Sequence, residues 1–147
     1  MSSHGVVFIC SPLRGNVEEN IKKCKKYCKF ACYNNYTPFA PHLFYTRFLN
    51  DDIEAERVLG IQCGLNMLER CDEIWVFTKE DGSISQGMEI EVDRAKSLSK
   101  KIKYFNYNCT IDLSKINIED FEERSAIMQY DGGFTREEAE ILSLNYI

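Results

Sequence analysis

The sequence of 147 residues lacks any long hydrophobic run. Its longest uncharged apolar stretches, residues 6–12 and 74–77, are far shorter than the roughly 20 residues that a membrane-spanning helix needs. Residues 1–5 also lack a basic segment followed by an apolar one, which is the pattern of a secretory signal. We therefore expect a cytoplasmic protein that has no membrane partner.

Histidine is scarce, and the cysteines are not spaced for metal binding. The chain has 2 histidines and 7 cysteines, an odd number, and no Cys-x-x-Cys pair. Cys24, Cys28 and Cys32 recur at every fourth position and fit one apolar stripe of a helix, where a free cysteine behaves as a small hydrophobic residue. We therefore predict neither a disulfide framework nor a metal site, and no cofactor.

A broad basic surface is absent too, because the formal net charge is -5. Residues 1–110 carry 15 basic and 14 acidic side chains, a balance of +1, whereas residues 111–147 carry 3 and 9, a balance of -6. Without a basic surface, a nucleic acid polymer is excluded as a partner. The change in charge divides the chain into an α/β domain over residues 1–110 and an acidic extension over residues 111–147.

What is present is an alternation of strands and helices. Apolar runs at residues 5–10, 37–40, 72–77 and 103–105 predict four strands, and helical periodicity at residues 17–34, 53–70 and 88–99 predicts the helices between them. Strands joined through helices are parallel with right-handed crossovers. The order predicts an α/β Rossmann-like three-layer sandwich with a mainly parallel sheet of four or five strands. Ligands of such sheets bind at the carboxyl ends of the strands.

The end of the acidic extension has the pattern of a docking helix. Thr135 and Glu138 have the spacing of a capping box at a helix start. The apolar residues that follow predict docking on this subunit or on a neighbour: Ala139, Ile141, Leu142 and Leu144.

The first candidate site is the turn after the first strand, residues 11–16. Backbone N–H groups at a helix start bind anions, and Arg14 adds a bidentate donor for phosphate or carboxylate. The turn has neither the GxGxxG pattern nor that of a P-loop. An ordinary turn with a surface arginine is the alternative.

The second candidate site is the start of the helix at residues 88–99. Met88 and Val92 lie on its apolar stripe, and Glu91 falls on the flank of that stripe. An acid that faces a sheet is costly unless it is paired or used, so the alternative for Glu91 is a structural salt bridge. Ser85 and Gly87, just before the helix, also fit a helix cap and a close backbone approach.

The third candidate site is the long segment at residues 41–52, which is typical of a lid over a ligand. It carries His42 together with the neighbouring acids Asp51 and Asp52. The alternative for the two aspartates is N-capping of the next helix. For His42 the alternative is a packing or hydrogen-bonding role.

Together these segments resemble the nucleoside 2-deoxyribosyltransferase-like superfamily, which also contains nucleoside 5'-monophosphate N-glycosidases. The likeness covers roughly residues 5–105. It is closest to a bacterial and phage branch that has S-P-L-R-G, A-P-H-L, F-L-x-D-D, C-D-E-I-W-V-F and S-x-G-M-x-x-E. This chain carries those patterns at residues 11–15, 40–43, 48–52, 71–77 and 85–91.

The resemblance implies that Glu91 is the nucleophile that attacks the anomeric carbon of the sugar, and that Arg14 and Ser85 bind phosphate. The other implied substrate-binding residues are Ser11, Gly15, His42, Asp51, Asp52, Gly87 and Met88. The substrate would be a small nucleoside or nucleotide, and the protein a homo-oligomer, dimeric or larger. Because Glu91 lies in the second turn of its helix, we also expect the helix dipole to favour its ionised form.

Two positions depart from the pattern of the superfamily. Gly64 lies near the position where members carry an acid beside the nucleobase, and Phe8 replaces a tyrosine that steadies the glutamate. The retained Glu91 favours an enzyme acting on an N-glycosidic bond. The missing acid favours a nucleotide-binding module that has lost catalysis, which senses or sequesters its ligand. A purely structural or partner-binding domain is the third reading.

Overall fold

A computed structural model describes residues 5–106 of the chain. Its elements are β1 (Val6–Cys10), α1 (Val17–Tyr33), β2 (Thr37–Phe39), α2 (Pro41–Phe44), a 3-10 helix (Tyr45–Arg47), α3 (Glu54–Arg70), β3 (Glu73–Thr78), α4 (Gln86–Ser97) and β4 (Lys101–Asn106). The predicted acidic extension over residues 111–147 and its helix from Thr135 lie outside the described residues.

The strands form one parallel sheet in the order β2-β1-β3-β4. The chain moves from β1 to one side for β2 and then returns to the other side for β3, so the strand order switches between β1 and β3. This confirms the predicted Rossmann-like α/β class, with four strands in the described part. The carboxyl ends of β1 and β3 are where such a sheet binds ligands.

Helices cover both faces of the sheet. On one face, the side chains of Tyr27 and Phe30 in α1 pack on the rings of Phe77 and Trp75, with ring centroids 4.0 Å and 5.6 Å apart respectively. On the other face, side chains of α3 and α4 share a buried cluster with alternate residues of β1 and β3: Phe8, Cys10, Leu68, Ile74, Val76, Met88, Val92 and Ala95. The arrangement is the predicted three-layer sandwich.

Three local predictions need correction. The segment at residues 41–52 is not a loop throughout, because Pro41 occupies the first turn of α2, where its fixed φ suits a helix start. Helix α4 begins at Gln86 rather than at residue 88, and β4 extends beyond both predicted ends.

Within residues 5–106, no helix combines the length and the hydrophobicity that crossing a membrane requires.

Candidate active site

Helix α4 brings Glu91 to the carboxyl edge of the sheet. The helix starts where the Ser85 hydroxyl accepts a hydrogen bond from the Met88 N–H at 3.3 Å, which is the predicted cap. Met88 and Val92 are buried in the core, and Glu91 between them is half-buried. Its side chain borders two cavities, a larger one of about 200 Å³ and a smaller one of about 70 Å³.

The larger cavity brings most of the predicted site residues together. Eight of the ten line it: Ser11, Arg14, His42, Asp51, Ser85, Gly87, Met88 and Glu91. A Cβ atom built at Gly87 would meet no protein atom within 4 Å, so the space beside the start of α4 is open. Segments that are far apart in sequence therefore meet in one place, as the three candidate sites require.

Gly15 and Asp52 are not part of this cavity. Gly15 is exposed and has a φ of +101°, a left-handed conformation that glycine adopts without strain, so it shapes the turn. Asp52 lines a neighbouring surface groove beside Phe48. The structure thus does not place either residue among those that border Glu91.

Asp51 forms an ion pair with Arg14. The Arg14 Nε lies 3.2 Å from the Asp51 Oδ2, and both side chains are partly exposed. The N-cap residue of α3 is Ile53, which makes no side-chain cap hydrogen bond. The N-capping interpretation of the two aspartates is therefore wrong, and Asp51 instead pairs with Arg14 at the rim of the larger cavity.

His42 has a defined hydrogen bond. Its Nε2 lies 2.9 Å from the Ser11 carbonyl oxygen, so Nε2 carries the proton and donates it. Burial lowers the pKa of His42, while this bond and the charge of Asp51 act in the opposite direction. The ring is neutral at neutral pH. The hydrogen-bonding role weighed as the alternative is thus present, although the ring also borders both cavities.

The electrostatics of Glu91 differ from the expectation. Burial raises its pKa to about 8, against a hydrogen bond from the Cys10 thiol that lowers it. The helix dipole therefore does not keep the free carboxyl ionised at neutral pH. Among residues 5–106, no ion pair includes Glu91, so the structural salt bridge weighed as its alternative is absent from this part of the chain.

Two charged residues of the site were missed from the sequence: Arg57 and Lys79. Lys79 directly follows β3, and Arg57 lies in the first turn of α3. Both line the larger cavity, and Arg57 also lines the smaller one. Both lie at the carboxyl edge, and that position was the available signal.

The two departures from the superfamily pattern have structural explanations. Gly64 is buried, a Cβ there would lie 3.6 Å from the Pro41 Cβ, and the residue lines neither cavity. Phe8 is fully buried, and its ring packs against Phe39 with centroids 6.0 Å apart. Within the described part of the chain, no group of His, Cys, Asp and Glu side chains is arranged to hold a metal ion.

Comparison with known proteins identifies the fold. The structure is similar to a 2-deoxyribosyltransferase from the psychrotolerant bacterium Bacillus psychrosaccharolyticus, with 18% sequence identity, a TM-score of 0.58 and coverage of 78% of each chain. The fold is thus that of the deoxyribosyltransferase-like proteins. The family model described as Domain of unknown function (DUF7768) matches residues 5–105, and the chain belongs to that family. The comparison with curated proteins gives no match.

Proposed function

We propose that the protein cleaves or transfers at the N-glycosidic bond of a nucleoside or a nucleoside 5'-monophosphate, with Glu91 as the nucleophile. One observation carries this proposal: a half-buried carboxyl group borders two adjoining cavities at the carboxyl edge of the sheet. Among the described residues it has no cationic partner. A fold with no use for this carboxylate would gain stability by replacing it.

The reaction would proceed by two displacements. An oxygen of the ionised Glu91 bonds to the anomeric carbon, and the bond to the base nitrogen breaks with its electron pair leaving on the base, which takes a proton from solvent. Water, or the nitrogen of a second base, then attacks the same carbon. The ester bond breaks, the carboxylate of Glu91 is regenerated, and the attacking group releases its proton to solvent.

The larger cavity suits a sugar phosphate. Arg14 retains terminal guanidinium donors beyond the Nε that contacts Asp51, and Lys79 adds a second cation. The 12-residue helix α4 starts at the same cavity and directs its unpaired N–H groups there. These groups favour a 5'-monophosphate over an uncharged nucleoside.

The smaller cavity suits the base. Its walls include Pro41, Tyr45, Leu49 and Ile61, which offer apolar surface to a planar ring. Arg57 and His42 supply polar atoms at its edge. Since Glu91 borders both cavities, a nucleotide that spans them would present its glycosidic bond to this carboxyl group.

A nucleotide-binding module without catalysis is the second candidate. It is favoured by the position of Gly64, which offers no acid to the base, and by the raised pKa of Glu91, which leaves the free carboxyl mostly protonated at neutral pH. Such a module would bind the same ligands through Arg14 and Lys79 and leave the glycosidic bond intact.

The test is a panel of ribonucleosides, deoxyribonucleosides and their 5'-monophosphates, incubated with the protein and analysed for free base by chromatography. A second base added to parallel samples distinguishes transfer from hydrolysis. We expect at least one monophosphate to give free base or, with a second base present, a new nucleoside 5'-monophosphate. Tight binding by calorimetry without any bond cleavage would favour the binding module, and neither binding nor cleavage would contradict both candidates.

A further inference from the structure

Arg57 borders both cavities, as Glu91 does, and its charge has little compensation in the described part of the chain. Its side chain is 23% exposed, and its ion-pair partner is Glu54, whose carboxylate oxygen lies 3.8 Å from the Arg57 Nη1 and whose side chain is 79% exposed. That distance is too long for a hydrogen bond, and an ion pair with so exposed a partner contributes little. Among residues 5–106, the guanidinium makes no other ion pair and donates no hydrogen bond.

The position of Arg57 along α3 adds a second cost. Arg57 lies in the first turn of the helix, where its backbone N–H donates to the Ile53 carbonyl oxygen at 2.8 Å. The helix dipole places partial positive charge at this end, so a cation there is unfavourable. Neither the helix nor a strong ion pair explains an arginine at this position. Local costs of this kind are characteristic of functional sites.

We propose that Arg57 recognises the base of the substrate by donating hydrogen bonds to two neighbouring acceptor atoms on its edge. This inference rests on the proposed function, which puts the base in the smaller cavity. A guanidinium presents paired donors in one plane, and a purine with a carbonyl group at C6 offers the matching acceptors O6 and N7. A purine with an amino group there offers one acceptor and one donor. The site therefore favours 6-oxopurines over 6-aminopurines.

The other polar groups of the smaller cavity do not supply such donors. The Thr46 hydroxyl donates to the His42 carbonyl oxygen at 2.7 Å, and the N–H of the His42 ring is used by its bond to Ser11. Glu56 accepts a backbone N–H, and as an acceptor it would recognise an amino group rather than a carbonyl group. Among the described residues that line this cavity, Arg57 is the one cation.

The same hydrogen bonds assist the departure of the base. When the bond to the anomeric carbon breaks, its electron pair stays on the base, and the ring atoms that accept from Arg57 gain negative charge. Donors that are already in place for those atoms stabilise this charge as it develops. Because Arg57 and Glu91 border both cavities, the two residues flank the place where the glycosidic bond would lie.

The test measures the binding of carbocyclic inosine, carbocyclic adenosine and their 5'-monophosphates by calorimetry. In these analogues carbon replaces the ring oxygen that stabilises a cation at the anomeric carbon, so they bind without being cleaved. We expect the unmodified chain to bind the inosine analogues about tenfold more tightly than the adenosine analogues. Arg57→Ala should lose about tenfold in affinity for both inosine analogues. Arg57→Lys keeps the charge but not the paired donors, so it should lose the preference too.

Arg47→Ala is the matched control, because it removes the same charge from an exposed residue that lines neither cavity. It should change none of the four affinities. Arg57→Ala should fold, since alanine suits a helix and a cation leaves the helix start. Equal affinity of the unmodified chain for the two bases would overturn the inference. A loss in Arg57→Ala confined to the monophosphates would overturn it by assigning Arg57 to the phosphate, and a preference for adenosine would assign recognition to Glu56.

Activity separates this inference from the proposed function. On a 6-oxopurine substrate that the panel identifies, kcat should fall about tenfold in Arg57→Ala, because the departing base loses its donors. An unaltered kcat would overturn the role of Arg57 in departure. If nothing is cleaved but the preference for inosine depends on Arg57, the proposed catalysis fails and the inference stands for a binding module. Cleavage with no base preference that depends on Arg57 would overturn the inference alone.

Discussion

Two glutamates at opposite edges of the sheet show how differently the fold treats a buried carboxyl group. Glu73, at the start of β3, accepts a hydrogen bond from the Trp75 Nε1 at 2.8 Å and lies 3.3 Å from the Lys103 Nζ. Burial raises the pKa of Glu73, but the bonds from Trp75 and Lys103 outweigh it and hold the pKa below its usual value.

Glu91, at the carboxyl edge, borders open cavities, and burial raises its pKa to about 8. The contacts at the amino edge therefore stabilise the ionised form of Glu73. At the carboxyl edge, the ionised form of Glu91 would have to be stabilised by a bound molecule. Cations do lie at the carboxyl edge, but Arg14 and Lys79 line the cavity without forming an ion pair with Glu91. Uncompensated charge of this kind costs stability and is typical of functional sites.

The comparison is tested most strongly by removing the charge from Glu91. Glu91→Gln keeps the shape and hydrogen-bonding capacity of the side chain, so ligand binding should survive. Base release should fall by about a thousandfold or more, because the nucleophile is lost. Chromatographic assay of free base measures the loss of base release, and calorimetry with a monophosphate measures the retained binding.

Glu89→Gln is the control for that experiment. Glu89 lies on the same helix but is exposed, so its substitution should change base release less than about twofold. Full activity in Glu91→Gln, or a comparable loss in Glu89→Gln, would show that base release does not depend specifically on the Glu91 carboxylate.

Protein stability should respond in opposite directions at the two edges. Glu91 has a folded pKa of about 8 against an ordinary value of 4.5, so the protonated form favours folding. The free energy of unfolding of the natural chain should therefore fall as the pH rises from about 4.5 to about 8, by at most ~1.4 kcal/mol per pH unit. Glu91→Gln removes this loss and should be more stable at pH 8, by at most about 4 kcal/mol, with no gain near pH 4.5.

Glu73→Gln should have the opposite effect and lower the stability of the protein. Its lowered pKa contributes stability above the ordinary carboxyl pKa, and this contribution disappears as the pH falls through the lowered value. At pH 7 we expect a loss of about 1–3 kcal/mol, because the ion pair with Lys103 is lost and the hydrogen bond from Trp75 is weakened. Urea denaturation at pH 5 and pH 8 measures the free energy of unfolding of both variants. If both variants gained stability at pH 8, or both lost it, the contrast between the edges would be refuted.

The pH dependence of the reaction follows from the same difference. Because the attacking form of Glu91 is ionised and its pKa is about 8, kcat/KM for base release should rise about tenfold per pH unit below pH 8 and level off above it. Initial rates at low substrate between pH 5.5 and 9.5 measure this limb. A flat profile down to pH 5.5 would mean that the free protein holds Glu91 ionised, as Glu73 is.

The smallest predicted effect concerns the rim of the larger cavity. Arg14→Ala should weaken the binding of a nucleoside 5'-monophosphate about tenfold, because a charge-assisted donor is lost, and should change nucleoside binding little. Arg70→Ala, at the far end of α3, is the control and should alter neither affinity. Equal losses for nucleotide and nucleoside, measured by calorimetry, would remove the phosphate role of Arg14.

Much of the fold could be predicted from the sequence because local patterns determine it. The strand predicted at residues 72–77 corresponds to β3 (Glu73–Thr78), which is buried throughout, and the long helices have clear periodicity. The short helix α2 was missed because four residues are too few for a periodic signal. The meeting of Ser11, Arg14, His42 and Ser85 followed from the rule that ligands bind at the carboxyl edge.

The site was predicted less completely because its chemistry depends on contacts between distant segments. Asp51 pairs with Arg14 across 37 positions of sequence, so its neighbours suggested a helix cap instead. The charge state expected for Glu91 came from its helix alone, whereas its burial arises from β1, α2 and α3 as well. Arg57 gave no signal beyond its position at the carboxyl edge, since only the packed structure shows that it lines both cavities.

The most direct test of the central claim is to trap the covalent intermediate on Glu91. An active substrate is mixed with excess protein, quenched in acid within milliseconds to seconds, digested and analysed by mass spectrometry. We predict a mass increase equal to one glycosyl group on the peptide that contains Glu91, with no such increase in Glu91→Gln. Base release at the full rate with the sugar attached to a different residue, or by Glu91→Gln itself, would contradict the account.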